Sequence, residues 1–437
     1  MCYLIGHFRD NQQLIWTAHK GAHMTSVYII GAGMTPFGSY PDMSLKAMVR
    51  AAVEGALNDA ACSTDMIEAI FFSNVTQGVL EGQVMIPGQI SLRPLGFQGI
   101  PVVNIENACA SGSTALYQAI KELRSGDSEV VMALGAEKMV YPDKSKVLST
   151  FDGAMDIHNK ENSIKTLLNM AEGFASPYDR EANTGAKSIF MEVYAAIARH
   201  HMQTFGTTRR QLAAVSSKNH FHSTKNALSQ FRKPFSIDEV LAARTIAWPL
   251  TLPMCSPVSD GAACAILCSE GALSRFDKSR AVRIESCVLA TGSDRSVSEP
   301  EKHLTRQAAL NAYNQAGIGP GDISVAEVHD ATAAGEIIQI ENLGFCDFGK
   351  GGPFSESGAT TLGGRIPVNP SGGLESKGHP LGATGLGQVY ELVAQLRGEA
   401  AERQVPDARF AMAENGGGVL GIEEAVACIT ILGKPNN

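Results

Sequence analysis

The chain repeats itself. Residues 115–126 read ALYQAIKELRSG and residues 388–399 read QVYELVAQLRGE, which aligns Tyr117 with Tyr390, Leu123 with Leu396 and Arg124 with Arg397. Each copy carries apolar residues at helical spacing and is followed by a run that reads as a strand, 129–134 and 408–412. A second echo pairs the helix ending near Ala60 and the run 67–72 with the helix ending near Ala316 and the run 323–328. Two echoes in one order predict two duplicated halves, each a layer of βα units whose sheet is covered by helices. The first half opens at Ser26 and the second near Ala281. Between them a stretch of about 141–245 has no counterpart. It is rich in Lys, Asn, Ser and His, and the pattern predicts helices over 188–201 and 210–219. The expected division is an N-terminal extension over 1–23, a first half over 24–140 and 246–275, an inserted loop domain over 141–245, and a second half over 276–437.

Composition excludes several classes of function. With 44% hydrophobic and 18% charged residues among 437, the chain has the makings of a sizeable core and is not disordered. A net charge of −8 argues against a binder of nucleic-acid backbones. No apolar stretch is long enough to span a bilayer, and residues 1–23 hold no continuous apolar segment of the secretory kind. The nine cysteines include no CxxC pair, which predicts reduced thiols and a cytoplasmic location. Cys264 and Cys268 flank an apolar run that reads as a buried strand with Cys255 nearby, so no metal site is expected.

Cys109 is the leading candidate for chemistry. It stands in Asn-Ala-Cys-Ala-Ser-Gly (107–112), between a strand-like run at 101–105 and the first copy of the repeated helix. Free backbone N–H groups and the positive end of a helix dipole would there lower the thiol's pKa towards the nucleophilic thiolate. The repeat counterpart of Cys109 is Gly382, and His379 lies three residues before it in Ser-Lys-Gly-His-Pro-Leu-Gly-Ala-Thr-Gly (376–385). If the halves pack about a pseudo-two-fold axis, the imidazole approaches the thiol, and a Cys–His pair can accept an acyl group as a thioester. His329 and Asp330 end another strand-like run, where a histidine can donate to a developing oxyanion. Glu414 precedes Gly416, Gly417 and Gly418 at the end of a further strand, whose amides suit an oxyanion hole. Gly31 and Gly33 are read as a tight turn rather than a dinucleotide loop, because Pro36 occupies the third glycine position. His200, His201, His220 and His222 do not face one another at helical spacing, so a polar surface or a cofactor contact is expected of them rather than zinc.

In combination these segments resemble the thiolase superfamily, in particular its sterol-carrier-protein type. The matching segments, in order, are Ile-Ile-Gly-Ala-Gly-Met-Thr-Pro-Phe-Gly (29–38), the Cys109 motif, Ser-Lys-Asn-His-Phe-His (217–222), Ser-Asp-Gly-Ala-Ala (259–263), Val-His-Asp (328–330) and Gly-His-Pro (378–380). The resemblance runs from about residue 24 to 432. It implies an α/β fold of two βαβαβαββ halves stacked in five layers, αβαβα, with an inserted loop domain that helps hold coenzyme A. It implies an acyl-CoA acyltransferase that makes or cleaves a 3-oxoacyl-CoA, with coenzyme A and acyl-CoA as substrates and no permanently bound cofactor.

By the same resemblance Cys109 is the acyl-accepting nucleophile and His379 its base. His329 belongs to a first oxyanion hole, and the amides of Cys109 and of Gly416 or Gly417 form a second. The family's second cysteine is missing: Ala331 follows His-Asp, and the alternative position falls on Glu414 or Asn415. A homodimer or dimer of dimers is expected. Relatives with alanine after His-Asp include condensing subunits that work with a small zinc-ribbon and OB-fold companion. The alternatives are thus a non-degradative condensing enzyme or carbon acyltransferase subunit with such a companion, and a catalytically weak lipid-binding or scaffold subunit.

Overall fold

The structure is a computed structural model that describes residues 25–174 and 189–434; the extension expected over 1–23 lies outside them. In chain order the strands are β1 (Val27–Met34), β2 (Ala69–Ser73), β3 (Val102–Ile105), β4 (Val130–Glu137), β5 (Thr245–Ala247), β6 (Leu250–Thr251), β7 (Gly261–Ser269), β8 (Val282–Thr291), β9 (Val325–Glu327), β10 (Phe410–Gly417) and β11 (Val426–Gly433). All but β5 and β6 join in the order β3-β2-β4-β7-β1-β8-β11-β10-β9. Read inward from the two edges, this order contains the duplication. β9, β10, β11 and β8 stand to one another as β2, β4, β7 and β1 do, and in each half the last strand runs antiparallel between its neighbours. The counterpart of β3 is reduced to a single parallel bridge between Val368 and Ala326. The halves are not separate sheets: β1 and β8 pair through Tyr28 with Arg283 and Ile29 with Val282.

The repeated segments are the helices Ser111–Ser125 and Thr384–Arg397. They form the middle layer. Leu116, Ile120 and Leu123 of one helix share a buried cluster with Leu386, Leu392 and Leu396 of the other. The inward faces of both half-sheets, including Val131, Ala133 and Ala265 on one side and Ala411, Ala413 and Leu432 on the other, close over that cluster. Each leucine, isoleucine and valine there contributes roughly 1.5–3 kcal/mol by leaving water and each alanine about 0.8 kcal/mol, which makes this layer the main tie between the halves. Outside it, the helix Leu45–Ala60 covers Ile30, Ile70, Met132 and Ile266, and the helix Leu304–Ala316 lies over Ala326, Met412 and Ile431. The result is the five-layer αβαβα stack.

Two local expectations are corrected. Gly31 and Gly33 form no turn; they lie inside β1, where a Cβ would come within 2.5 Å of Ala56 O and 2.4 Å of Ala52 O respectively. Their lack of a side chain lets the helix Leu45–Ala60 rest directly on the strand. His201, His220 and His222 are not surface groups. His201 bonds Thr207 and approaches Glu341, His220 bonds Pro253 O and Ser376, and His222 bonds Asn369 O and accepts from the Leu362 amide. Burial, above all, pushes His222 down to about 3 and lowers His220. Through the bonds of the three rings, the helices Ile189–Phe205 and Arg209–Ser223 are tied to the second half.

Candidate active site

The site forms where the two middle helices begin. At their crossing, side chains would collide: a Cβ on Gly112 would sit 2.9 Å from Gly382 O, and one on Gly385 would sit 2.1 Å from Ser113 Oγ. The turn before the first helix packs on the end of β10, where a Cβ on Gly417 would be 2.4 Å from Asn107 O. The turn before the second packs likewise on β4. There Gly382 N–H donates to Glu137 Oε2 at 2.9 Å, and Ser73 Oγ donates to Gly382 O at 2.7 Å. Each half therefore seats the other's reactive turn.

Cys109 lies two residues ahead of its helix. Ala108 adopts a left-handed φ of 48°, and Ser111 Oγ ties the turn by donating to Ala108 O and accepting from Asn107 N–H. Such a conformation is strained for alanine and is held by these bonds. The sulfur of Cys109 and a ring nitrogen from each of His329 and His379 all lie within 4.8 Å of one another. The sequence placed these three residues far apart in the chain, and the structure brings them together.

The ring of His379 is oriented by Thr384. The Thr384 hydroxyl donates to Pro380 O at 3.0 Å and so accepts from His379 Nδ1–H at 2.8 Å. Nε2 is left with a free lone pair, as a base needs. His379 N–H donates to Ser259 Oγ at 2.9 Å, which fixes the backbone. Asp330 works behind the site: its carboxylate accepts from the Leu374 amide at 2.7 Å and from Asn219 at 3.1 Å, holding the short helix Gly373–Lys377 that leads to His379. His329 keeps Nε2 buried with no hydrogen-bond partner, so that nitrogen is free to meet a substrate oxygen.

The expected thiolate is not found. Burial, the largest effect, pushes the Cys109 thiol up to about 12, although its own amide and that of Gly418 pull the other way. The residue keeps some exposed surface, but its sulfur is enclosed, and desolvation outweighs the helix dipole. Burial and then His329 hold His379 well below the ordinary histidine value, and burial brings His329 to about 4. The resting site is a neutral thiol beside two neutral imidazoles.

The amide nearest the Cys109 sulfur, apart from its own, lies one residue beyond the expected Gly416 or Gly417. Gly416 and Gly417 still belong to β10 and pair with Ala427 and Val426. The amide that faces the Cys109 sulfur, beside its own, is that of Gly418, whose φ of 63° turns the chain at the strand's end. Glu414 is fully buried and, among the described residues, pairs with no cation. Its Oε2 accepts from His329 N–H at 2.8 Å and its Oε1 has no partner. Burial first, then Glu424 and Asp330, raise it to about 8. Thr384 and Ser259 stood inside the quoted segments 376–385 and 259–263 and Gly418 inside the glycine run, but none of the three was singled out there.

With this geometry in place, comparison with known proteins is decisive. Residues 27–247 match the thiolase N-terminal domain and residues 291–434 the thiolase C-terminal domain-like family. The chain belongs to the thiolase family. It is 38% identical over 403 residues to an acetyl-CoA acetyltransferase of Methanothermobacter thermautotrophicus, covering 91% of this chain and 98% of that protein. It is 32% identical over 400 residues to the benzoylsuccinyl-CoA thiolase subunit BbsB of Thauera aromatica, covering 90% and 94%. Sterol carrier protein 2 of Bos taurus is 38% identical over 89% of this chain and 69% of its own length. The fold is shared with the Ltp2-ChsH2(DUF35) aldolase (TM-score 0.73, 21% identity, 94% of this chain and 98% of that one). It is also shared with human mitochondrial 3-ketoacyl-CoA thiolase in complex with CoA (TM-score 0.65, 18%, 94% and 99%). The protein is a thiolase-type acyltransferase acting on acyl-CoA.

Proposed function

We propose that the chain exchanges acyl groups by a ping-pong route through a thioester on Cys109, and that it makes or breaks a 3-oxoacyl-CoA. The observation that carries this reading is the meeting of Cys109, His379 and His329 within 4.8 Å. His379 Nε2 takes the thiol proton as the sulfur attacks the thioester carbonyl, and then gives that proton to the departing coenzyme A thiolate. A neutral thiol beside a neutral base suits this coupled transfer, since no charge is buried before attack. The amides of Cys109 and Gly418 receive the oxyanion of the acyl-enzyme, and His329 Nε2 receives the oxygen of the second thioester as an enolate forms.

Glu414 takes the place of the missing second cysteine. As a carboxylate it removes the α proton in synthesis; as an acid it returns a proton to the enolate in cleavage. Ala331 favours a second reading, a condensing subunit that works with a small companion protein. The Ltp2-ChsH2(DUF35) aldolase, which shares the fold, supports it. In either reading the described parts of the insertion, 141–174 and 189–245, help hold coenzyme A, the protein works in the cytoplasm as a homodimer or dimer of dimers, and no permanent cofactor is needed.

Intact mass spectrometry after incubation with acetyl-CoA and longer acyl-CoAs tests the core of the proposal. The wild type should gain one acyl group that free coenzyme A removes, and Cys109→Ala should gain none. An adduct on Cys109→Ala would place the nucleophile elsewhere.

A further inference from the structure

A cavity of about 390 Å³ lies beyond the Gly418 turn, and Tyr194, His303, Gln339, Gly418 and Glu424 are among its lining residues. Glu424 lies across β10 at a place where that strand has no side chain. A Cβ on Gly416 would fall 2.9 Å from Glu424 Cγ and 3.4 Å from its Oε1. Glu414 precedes Gly416 by two residues on the same strand, so its side chain leaves from the same face, roughly 7 Å along. Each carboxyl group has one enclosed oxygen without a hydrogen bond, Glu414 Oε1 and Glu424 Oε2.

The surroundings orient Glu424 without neutralising it. Its Oε1 accepts from Gln339 Nε2 at 2.9 Å. His303 Nδ1 accepts from the Thr305 amide and from Asn342, each at 3.2 Å, so the ring proton sits on Nε2, which is 3.5 Å from Glu424 Oε2. Burial, above all, keeps His303 neutral by lowering it from the ordinary histidine value. The nearby cation, Arg295, is engaged by Glu423. The other titratable groups near the pair are Tyr194, which feels the charges of Cys109, Glu424 and Glu414, and His329 and Asp330 beside Glu414. Glu414 is fully buried and Glu424 keeps 21% of its side-chain surface exposed, so one enclosed and one accessible carboxyl group lie against the same strand face, and an acidic neighbour there makes a negative charge on Glu414 costly.

We propose that Glu424 is a positioning residue that sets the protonation of Glu414 and exchanges its proton with the cavity. This rests on the reading of Glu414 as the proton carrier. In synthesis the α proton moves from acetyl-CoA to the Glu414 carboxylate and leaves to solvent on the Glu424 side; in cleavage a proton returns by the same side, and Glu414 gives it to the enolate. The cavity is thus the side from which the pair equilibrates with solvent.

The test is the pH profile of thiolysis in Glu424→Gln, with Cys109 acylation read by intact mass in the same samples to show an intact nucleophile. In the wild type the rate should fall as pH rises through the midpoint of Glu414, because the protonated form must deliver the proton. Glu424→Gln removes a neighbouring negative charge, so that midpoint should move to lower pH, by on the order of one unit. Glu424→Asp draws the charge back by one methylene and should move it the same way by less; it serves alone if the glutamine variant does not fold. If Glu414→Gln removes the falling limb while neither Glu424 variant moves it, the role of Glu424 is overturned. If Glu414→Gln keeps the wild-type profile, the reading of Glu414 falls and this proposal with it.

Discussion

At the scale of the residue, burial decides the chemistry. A thiol at the start of a helix would ordinarily be acidified by the dipole, worth about 0.3–1 kcal/mol near the surface and up to about 2 kcal/mol where partly buried. Desolvation is larger here and carries Cys109 up to about 12. Alkylation of Cys109 by iodoacetamide should therefore rise with pH through the alkaline range without a plateau near neutrality. A plateau below pH 8 would mean a standing thiolate and would remove the need for a coupled transfer. Thr384 should matter through the tautomer it imposes on His379. Thr384→Val should lower turnover by about 10- to 100-fold, as removal of an orienting hydrogen bond often does, while Thr384→Ser should keep most of it. Equal activity of the two variants would show that the hydroxyl does not set the ring. Cys109, His329, His379 and Glu414 were legible because each sits in a motif whose residue type declares its chemistry. Glu424 was not, and Gly418 and Ser259 were read only as members of longer motifs, since the carboxyl, amide and hydroxyl they offer take meaning only from what the fold puts opposite them.

At the scale of the element, glycines set how closely helices and strands approach, and two of them separate stability from function. Gly33 seats the helix Leu45–Ala60 away from the site, whereas Gly135 in β4 faces Gly382 O at 2.1 Å from where its Cβ would be. Both Gly33→Ala and Gly135→Ala should destabilise the protein by about 1–3 kcal/mol, as overpacking does, measured by urea unfolding. Only Gly135→Ala should also lower the rate per folded molecule, because it displaces the turn that carries His379. If both variants keep the wild-type rate, the seating of that turn is not what places the base. The helices themselves were readable from periodicity, and the observed Ser111–Ser125 and Thr384–Arg397 extend the repeated segments by only a few residues. The strands were less so. β10 runs on to Gly417, through the glycines that were read as a strand end, because its ladder with β11 continues to Val426.

At the scale of the whole molecule, the duplication predicted two like halves and the resemblance their five-layer stack, but neither gave the pairing of β1 with β8 that joins the halves, since cross-strand partners so distant in sequence leave no local pattern. The other sheet ends raise the question of association. Among the described residues β3 pairs only with β2, leaving its outer edge open, and Val103 on it is 45% exposed. The neighbouring segment bonds to the same strand, Gly88 N–H to Asn104 Oδ1 and Gln89 Nε2 to Val102 O, and just before it Val84, Met85 and Ile86 are 71%, 74% and 56% exposed. Ile86 also holds a left-handed φ of 50°, a strained choice for a β-branched residue. An open edge flanked by contiguous apolar side chains invites a second copy, and a two-fold axis through β3 would pair the edges and cover both shoulders at once. Light scattering coupled to size exclusion should give twice the chain mass for the wild type. The double variant Met85→Glu with Val103→Lys should give the single-chain mass with an unchanged circular dichroism spectrum. A wild type that runs at single-chain mass over a wide concentration range, or a double variant that stays paired, would show that this edge is not where two copies meet.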